Sequence, residues 1–156
     1  ERGRGRFLVG AEALRATTAD GRAIAVETEV AARSMTHPGH DFVLATGGFL
    51  GGGLRADSKG GIREVVFDLP VDAPESRQAW FEPEFLAPNG HAIWRAGLIV
   101  DDRMRPLGRD GAPVHTNLRA AGLTLAHADP MREKSLEGIS VATGVRAAWG
   151  ILNDQS

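Results

Sequence analysis

The sequence predicts a strand-rich α/β fold, and three observations carry that expectation. Phe42, Val43, Leu44 and Ala45 form a short unbroken apolar run that Thr46, Gly47 and Gly48 stop, the pattern of a strand buried on both faces. Upstream, two arms of alternating residues flank Ala19-Asp20-Gly21. Near the end of the chain, Ile139, Ala142, Val145, Trp149 and Leu152 recur at spacings of three and four, which predicts a helix with one apolar face.

The first of these organises the rest. Two glycines at a strand end permit positive φ and let another group approach the backbone closely. Ligands of open α/β sheets sit beyond the carboxyl ends of strands. The run therefore reads either as a strand end that meets a cofactor or as a buried strand followed by a flexible turn. Five glycines lie between Gly47 and Gly53, more than a turn needs.

With 156 residues, one sizeable core is expected. A net charge of −2 gives no argument for nucleic acid. The absence of cysteine excludes disulfides, thiolate nucleophiles and zinc–thiolate or iron–sulfur sites within the chain. No apolar run is long enough to span a bilayer. Glu1-Arg2-Gly3-Arg4-Gly5-Arg6 has no signal-peptide hydrophobic region after it, and the chain reads as a piece of something longer.

In chain order, residues 7–9 are a possible short strand. Residues 12–18 and 22–30 form a hairpin, because Asp20-Gly21 supplies the positive φ of a tight turn. Residues 31–41 are expected as loop. His37 and His40 flank Pro38-Gly39 and are read as a solvated turn, since no third ligand stands nearby. Residues 62–69 are expected as a strand, 75–81 as a short helix, 91–100 as a strand running into Asp101-Asp102, and 103–111 as loop. Residues 114–118 form a strand leading to Ala120-Ala121-Gly122. A loop at 126–132 follows, and the last helix begins near Leu136 with Gly138 in its first turn. Asp101 and Asp102 are read as turn residues, and Trp80, Trp94 and Trp149 as core or interface.

Two strand ends rich in small residues, Ala45-Thr46-Gly47-Gly48 and Ala120-Ala121-Gly122, with a helix start near Gly138, suit a flat cofactor. At these residues the chain resembles the C-terminal part of the B subunits of anaerobic glycerol-3-phosphate dehydrogenases, a family related to the fumarate reductase flavoproteins. The resemblance runs from about Gly10 to Leu152. It rests on Val43-Leu44-Ala45-Thr46-Gly47-Gly48-Phe49, Gly52-Gly53-Leu54, Gly61-Ile62-Arg63-Glu64, Leu69-Pro70-Val71 and Gly97. It continues through Met104-Arg105-Pro106, Asn117-Leu118, Ala120-Ala121-Gly122, Asp129-Pro130 and Gly138.

The resemblance implies a two-dinucleotide-binding flavoprotein fold, with residues 7–50 and 113–152 as a partial flavin-binding domain. Residues 51–112 would be an inserted lobe, and 1–6 and 153–156 flexible ends. It implies FMN or FAD, bound only in the complete protein, with Thr46, Gly47, Gly48, Ala121, Gly122, Gly138 and Ile139 at the cofactor. Arg63, His91 and Arg105 would face the substrate, and no metal is expected. The family's complex oxidises glycerol 3-phosphate to dihydroxyacetone phosphate and passes electrons to quinone. The implied partners are the catalytic A subunit and a membrane-bound iron–sulfur subunit, which would hold this cytoplasmic component peripherally at the inner membrane.

Three departures stand out. The family's opening Gly-x-Gly-x-x-Gly turn is missing, Leu123 stands where the family commonly has a small polar residue, and Lys134 and Leu136 replace glycines before the last helix. The isolated chain is accordingly expected to be inactive, to hold no tight flavin and to self-associate. The rival expectation is a non-catalytic structural or assembly module that keeps the fold without the cofactor.

Overall fold

A computed structural model describes residues 5–154. Residues 1–4 and 155–156, part of the expected flexible ends, lie outside the described residues. The fold is strand-rich, with seven strands and two α-helices among the described residues.

The chain opens with an antiparallel meander of β1 (Glu12–Ala19), β2 (Arg22–Val30) and β3 (Arg33–Pro38). The Asp20-Gly21 turn has φ of 49° and 70°, the paired positive values of a two-residue hairpin. The next turn corrects the expectation of loop at 31–41. Val30 pairs with Arg33 across Ala31 and Ala32, whose φ values are 47° and 59°. Two alanines in the left-handed region cost roughly 1–2 kcal/mol each, and no glycine or asparagine advertises the turn. Residues 7–9 are not a strand; Phe7 and Val9 stand almost fully exposed.

β4 (Phe42–Leu44) pairs in parallel with β7 (Leu118–Ala120), Phe42 opposite Leu118 and Leu44 opposite Ala120. The expected strand at 114–118 thus lies further along. Asn117 sits just before it instead, buried. Its side chain accepts from the Ala23 N–H and donates to the Ala23 and His40 carbonyls, tying the meander to the parallel pair. Burial on both faces of β4 is also corrected: Leu44 is buried, but Val43 is 46% exposed.

β5 (Leu54–Ala56) and β6 (Ile62–Glu64) form a second hairpin. The strand expected at 62–69 stops at Glu64 for an electrostatic reason. The buried Glu64 carboxylate accepts the N–H groups of Val66 and Phe67 at 2.8 and 2.7 Å and turns the chain. The helix expected at 75–81 is a single 3₁₀ turn at Arg77–Ala79. The strand expected at 91–100 is a 3₁₀ turn at Ala92–Arg95 followed by isolated bridges, Asp72 to Gly97 and Leu98 to Leu125. Gly97 lies so close to the Leu125–Ala126 peptide that a β-carbon there would fall on the backbone.

Near the C-terminus come α1 (Pro130–Glu133) and α2 (Leu136–Asp154). The start of α2 is where the spacing placed it, but its buried side is not. Ala147 and Gly150 face the core, while Val145, Trp149 and Leu152 stand more than half exposed. The reason is close approach: a β-carbon on Gly150 would lie 2.6 Å from the Arg103 carbonyl oxygen. Trp149 is therefore not core; Trp80 is.

Leu44, Leu118, Ala120, Ala121, Leu125 and Ala147 share one core with Val66, Leu69, Leu98 and Met104. The last four come from residues 51–112. A smaller cluster of Trp80, Ile93 and Ala96 packs against Phe49, Ile62 and Trp94. The buried Arg119 on β7 clamps the end of α2, donating to the Gly150 carbonyl and the Asp154 carboxylate.

Candidate functional site

Both strand ends meet at one corner of the molecule. The Ala121 N–H donates to the Leu44 carbonyl at 3.0 Å, so the chain leaving β7 continues alongside the end of β4. Gly47 takes φ of 74° and Gly122 of 75°, conformations that favour glycine. The remaining glycines of the 47–53 loop serve the loop itself. A β-carbon on Gly51 would lie 2.7 Å from the Thr46 carbonyl oxygen, and one on Gly53 would strike the Gly47 carbonyl. The buried Thr46 Oγ1 has no hydrogen-bond partner among the described residues.

Gly48 faces the chain rather than open space. A β-carbon there would come within 2.9 Å of the Leu123 carbonyl oxygen. The cavity that Gly48, Phe49, Trp94 and Leu123 enclose holds about 20 Å³, room for roughly one water.

Beside it the surface opens. Residues 125–128, Glu133, Ser135, Gly138, Ile139, Ala142 and Thr143 line a groove of about 480 Å³ at the start of α2, within the roughly 300–1,000 Å³ of small-molecule sites. The Ile139 N–H is already taken by the Ser135 carbonyl at 3.1 Å. Thr143 Oγ1 donates to the Ile139 carbonyl and accepts the Gly122 N–H at 2.8 Å. That contact fixes α2 to the second strand end. Thr46, Gly47, Gly48, Ala121, Gly122, Gly138 and Ile139 are thus gathered around one corner, and Thr143, which the sequence did not single out, joins them.

The three expected substrate residues have different surroundings. Arg63 stands exposed on β6 opposite Arg55, and its side chain makes no hydrogen bond or ion pair among the described residues. Arg105 donates from Nε to Asp101 Oδ2 at 2.7 Å, and Asp101 Oδ1 accepts the N–H groups of Arg103 and Arg105. Burial raises the Asp101 pKa, but the Arg105 N–H and guanidinium outweigh it and hold the carboxyl below its usual value. Asp101 is a turn residue. His91 accepts the Glu82 N–H at Nδ1, so Nε2 carries the proton and donates to the Phe85 carbonyl at 3.1 Å. Phe81 meets its ring edge-on. His37 bonds Thr28 Oγ1 at 2.8 Å. Among the described residues no group of three or more His, Cys, Asp or Glu side chains could hold a metal ion, and no helix is long and apolar enough to cross a membrane.

The sequence profile described as an FAD binding domain matches residues 2–141. The chain belongs to the FAD-binding domain family. Within this family it is similar to the B subunit of the probable anaerobic glycerol-3-phosphate dehydrogenase of Halobacterium salinarum, at 35% identity over 91% of the chain and 33% of the relative. The corresponding B subunit of Vibrio cholerae is 33% identical over 71% of the chain and 25% of its own length. That of Aliivibrio fischeri is 30% identical over 71% of the chain and 24% of the relative. The chain therefore spans about a third or less of the curated relatives it matches. No solved structure matches it.

The FAD-family corner fits its cofactor in part. The groove at α2 has a size suited to part of an FAD molecule. The space over Gly48 does not, because the Leu123 backbone carbonyl closes over it and the cavity beside it is small.

Proposed function

We propose that this chain is part of a flavoprotein subunit in an anaerobic glycerol-3-phosphate dehydrogenase, passing electrons from glycerol 3-phosphate oxidation toward quinone. The cofactor is FAD rather than FMN, bound in the complete protein. The partners are the catalytic A subunit and a membrane-bound iron–sulfur subunit, which holds this component peripherally at the inner membrane on its cytoplasmic side. The overall architecture is a two-dinucleotide-binding fold, with residues 51–112 as an inserted lobe whose base joins the flavin-domain core.

The observation that carries this reading is the groove at the start of α2, pinned to Gly122 by Thr143, in a chain of the FAD-binding domain family. When bound, the flavin supplies hydride acceptance and stepwise electron release. The chain's own residues do the holding. Gly138 lines the groove in the first turn of α2, at the positive end of the helix dipole. Ala142 and Ile139 supply apolar contact and exclude water, and Thr143 keeps the strand end and helix in register. Arg63, the one expected substrate residue without an intramolecular partner, is assigned to the substrate phosphate, which a guanidinium binds bidentately.

A second reading, an assembly module without flavin, is favoured by the Leu123 backbone carbonyl that closes over Gly48 and by Lys134 and Leu136 ahead of the last helix. One experiment separates the two. FAD released by heat is measured from the full-length protein and from its Ala142→Trp variant, which blocks the groove from an exposed position. Stoichiometric FAD in the parent and its loss in the folded variant support the flavoprotein. No FAD in the parent supports the assembly module, and equal FAD in both overturns the groove.

A further inference from the structure

Away from this corner, a cavity of about 470 Å³ opens beneath the 83–90 loop, lined by Phe81, Phe85, Leu86, Trp94, Met131 and Asp129. Its size suits a small molecule. Phe85 and Leu86 are 89% and 85% exposed, two large apolar side chains that nothing among the described residues covers. The wall is prebuilt, because His91 ties the Glu82 N–H to the Phe85 carbonyl and packs on Phe81.

Asp129 lies at the cavity's inner end and is only 4% exposed. Its Oδ1 accepts the N–H groups of Met131 and Arg132 and caps α1. Its Oδ2 is buried and has no partner among the described residues. A buried carboxylate oxygen left unpaired is costly. That oxygen sits against Gly90, 3.1 Å from where a β-carbon would stand, and the Arg132 side-chain methylenes lie 3.3 and 3.5 Å from the same point. Arg132 is exposed, and its guanidinium makes no hydrogen bond or ion pair among the described residues. Arg132 lines the same cavity as Asp129, so an incoming ammonium would have to displace its side chain to reach Oδ2.

We infer that this cavity binds a small amine with an aromatic or similarly apolar body. The ammonium donates to Asp129 Oδ2, a charge-assisted bond of the stronger kind, and the body lies among Phe81, Phe85 and Trp94, whose ring faces also attract a cation. An anion such as a phosphate ester would meet the carboxylate. The site is thus distinct in chemistry from the one proposed at Arg63, and it goes beyond the flavoprotein reading.

The test titrates the full-length protein with 2-phenylethylamine, 2-phenylethanol and phenylacetate, following binding by calorimetry or ligand-observed NMR. The amine is expected to bind at least tenfold more tightly than the alcohol, and phenylacetate not at all. Asp129→Asn, which keeps a capping side chain, should lower amine affinity at least tenfold and leave the alcohol unchanged. Phe85→Ala should weaken both ligands equally, and Arg132→Ala should strengthen the amine. Equal binding of all three probes, no saturable amine binding, or an amine affinity indifferent to Asp129→Asn would each overturn the proposal. Should Asp129→Asn not fold, the exposed Phe85 and Arg132 variants decide it by the same titration. FAD content is measured on the same samples, and its loss bears on the groove at α2 alone.

Discussion

Arg119→Ala is expected to destabilise the fold by about 3 kcal/mol. The guanidinium is fully buried on β7. Nη1 donates to the Thr116 and Leu118 carbonyls at 2.9 and 3.2 Å, and Nη2 to the Gly150 carbonyl and the Asp154 carboxylate. Removing one partner of a buried ion pair costs about 3–5 kcal/mol when the other charge is stranded. Asp154 is not stranded: its side chain keeps 26% exposure and a second pair with Arg103 at 2.5 Å, which moves the cost to the low end. Arg119→Met, which refills most of the volume, should cost about 2 kcal/mol, and Asp154→Asn, which leaves the buried guanidinium without its counter-charge, about 3 kcal/mol. Urea unfolding followed by circular dichroism reads these values. With a slope of about 1–3 kcal/mol/M, Arg119→Ala should lower the midpoint by about 1–3 M. A loss under about 1 kcal/mol from either Arg119→Ala or Asp154→Asn would refute the clamp as the reason α2 holds its place.

Three further outcomes are expected. Replacing Ala31-Ala32 by Asn-Gly relieves two left-handed alanines and should raise stability by about 1 kcal/mol or more, read as a shift in urea midpoint; a destabilised variant would count against the turn. The Asp101 carboxyl is held below its ordinary value in the folded state, so its contribution is intact above about pH 4 and is lost as pH falls further through the lower folded value. Asp101→Asn should flatten that acid limb, and an unchanged pH profile would contradict the assignment. The isolated chain is expected to self-associate through the bare apolar side of α2 and the half-exposed β4. Trp149→Glu should shift it toward monomer on a sizing column; a monomeric parent would end that expectation.

The parts of the fold that were legible in the sequence share a physical cause. Asp20-Gly21 announced its hairpin because those residue types lower the cost of positive φ, and Ala31-Ala32 hid the next one because alanine does not. The start of α2 was visible in the spacing of its apolar residues. Its buried side was not, because Gly150 and Ala147 pack by being small, and smallness carries no hydropathy signal. At the site, both strand ends were legible as glycine after an apolar run. Asn117, Arg119, Asp129 and Thr143 were not. A buried polar side chain is defined by its partners, and those of Asn117 lie as far away in the chain as Ala23. Two of the five glycines of the 47–53 loop, Gly51 and Gly53, accommodate carbonyls of the loop itself, a role that their number in the sequence does not reveal.

The parallel pairing of β4 with β7 also sets an order in time. About seventy residues of chain separate the two strands, and closing so long a loop costs roughly 4 kcal/mol of chain entropy before any contact rewards it. The meander of β1, β2 and β3 has no such barrier and can form by local turns within microseconds. Leu44 and Leu118 must therefore wait until the hairpin of β5 and β6 and the bridges around Gly97 have shortened the path between them. The corner where Gly48 and Gly122 meet is then expected to be among the last parts of the molecule to assemble.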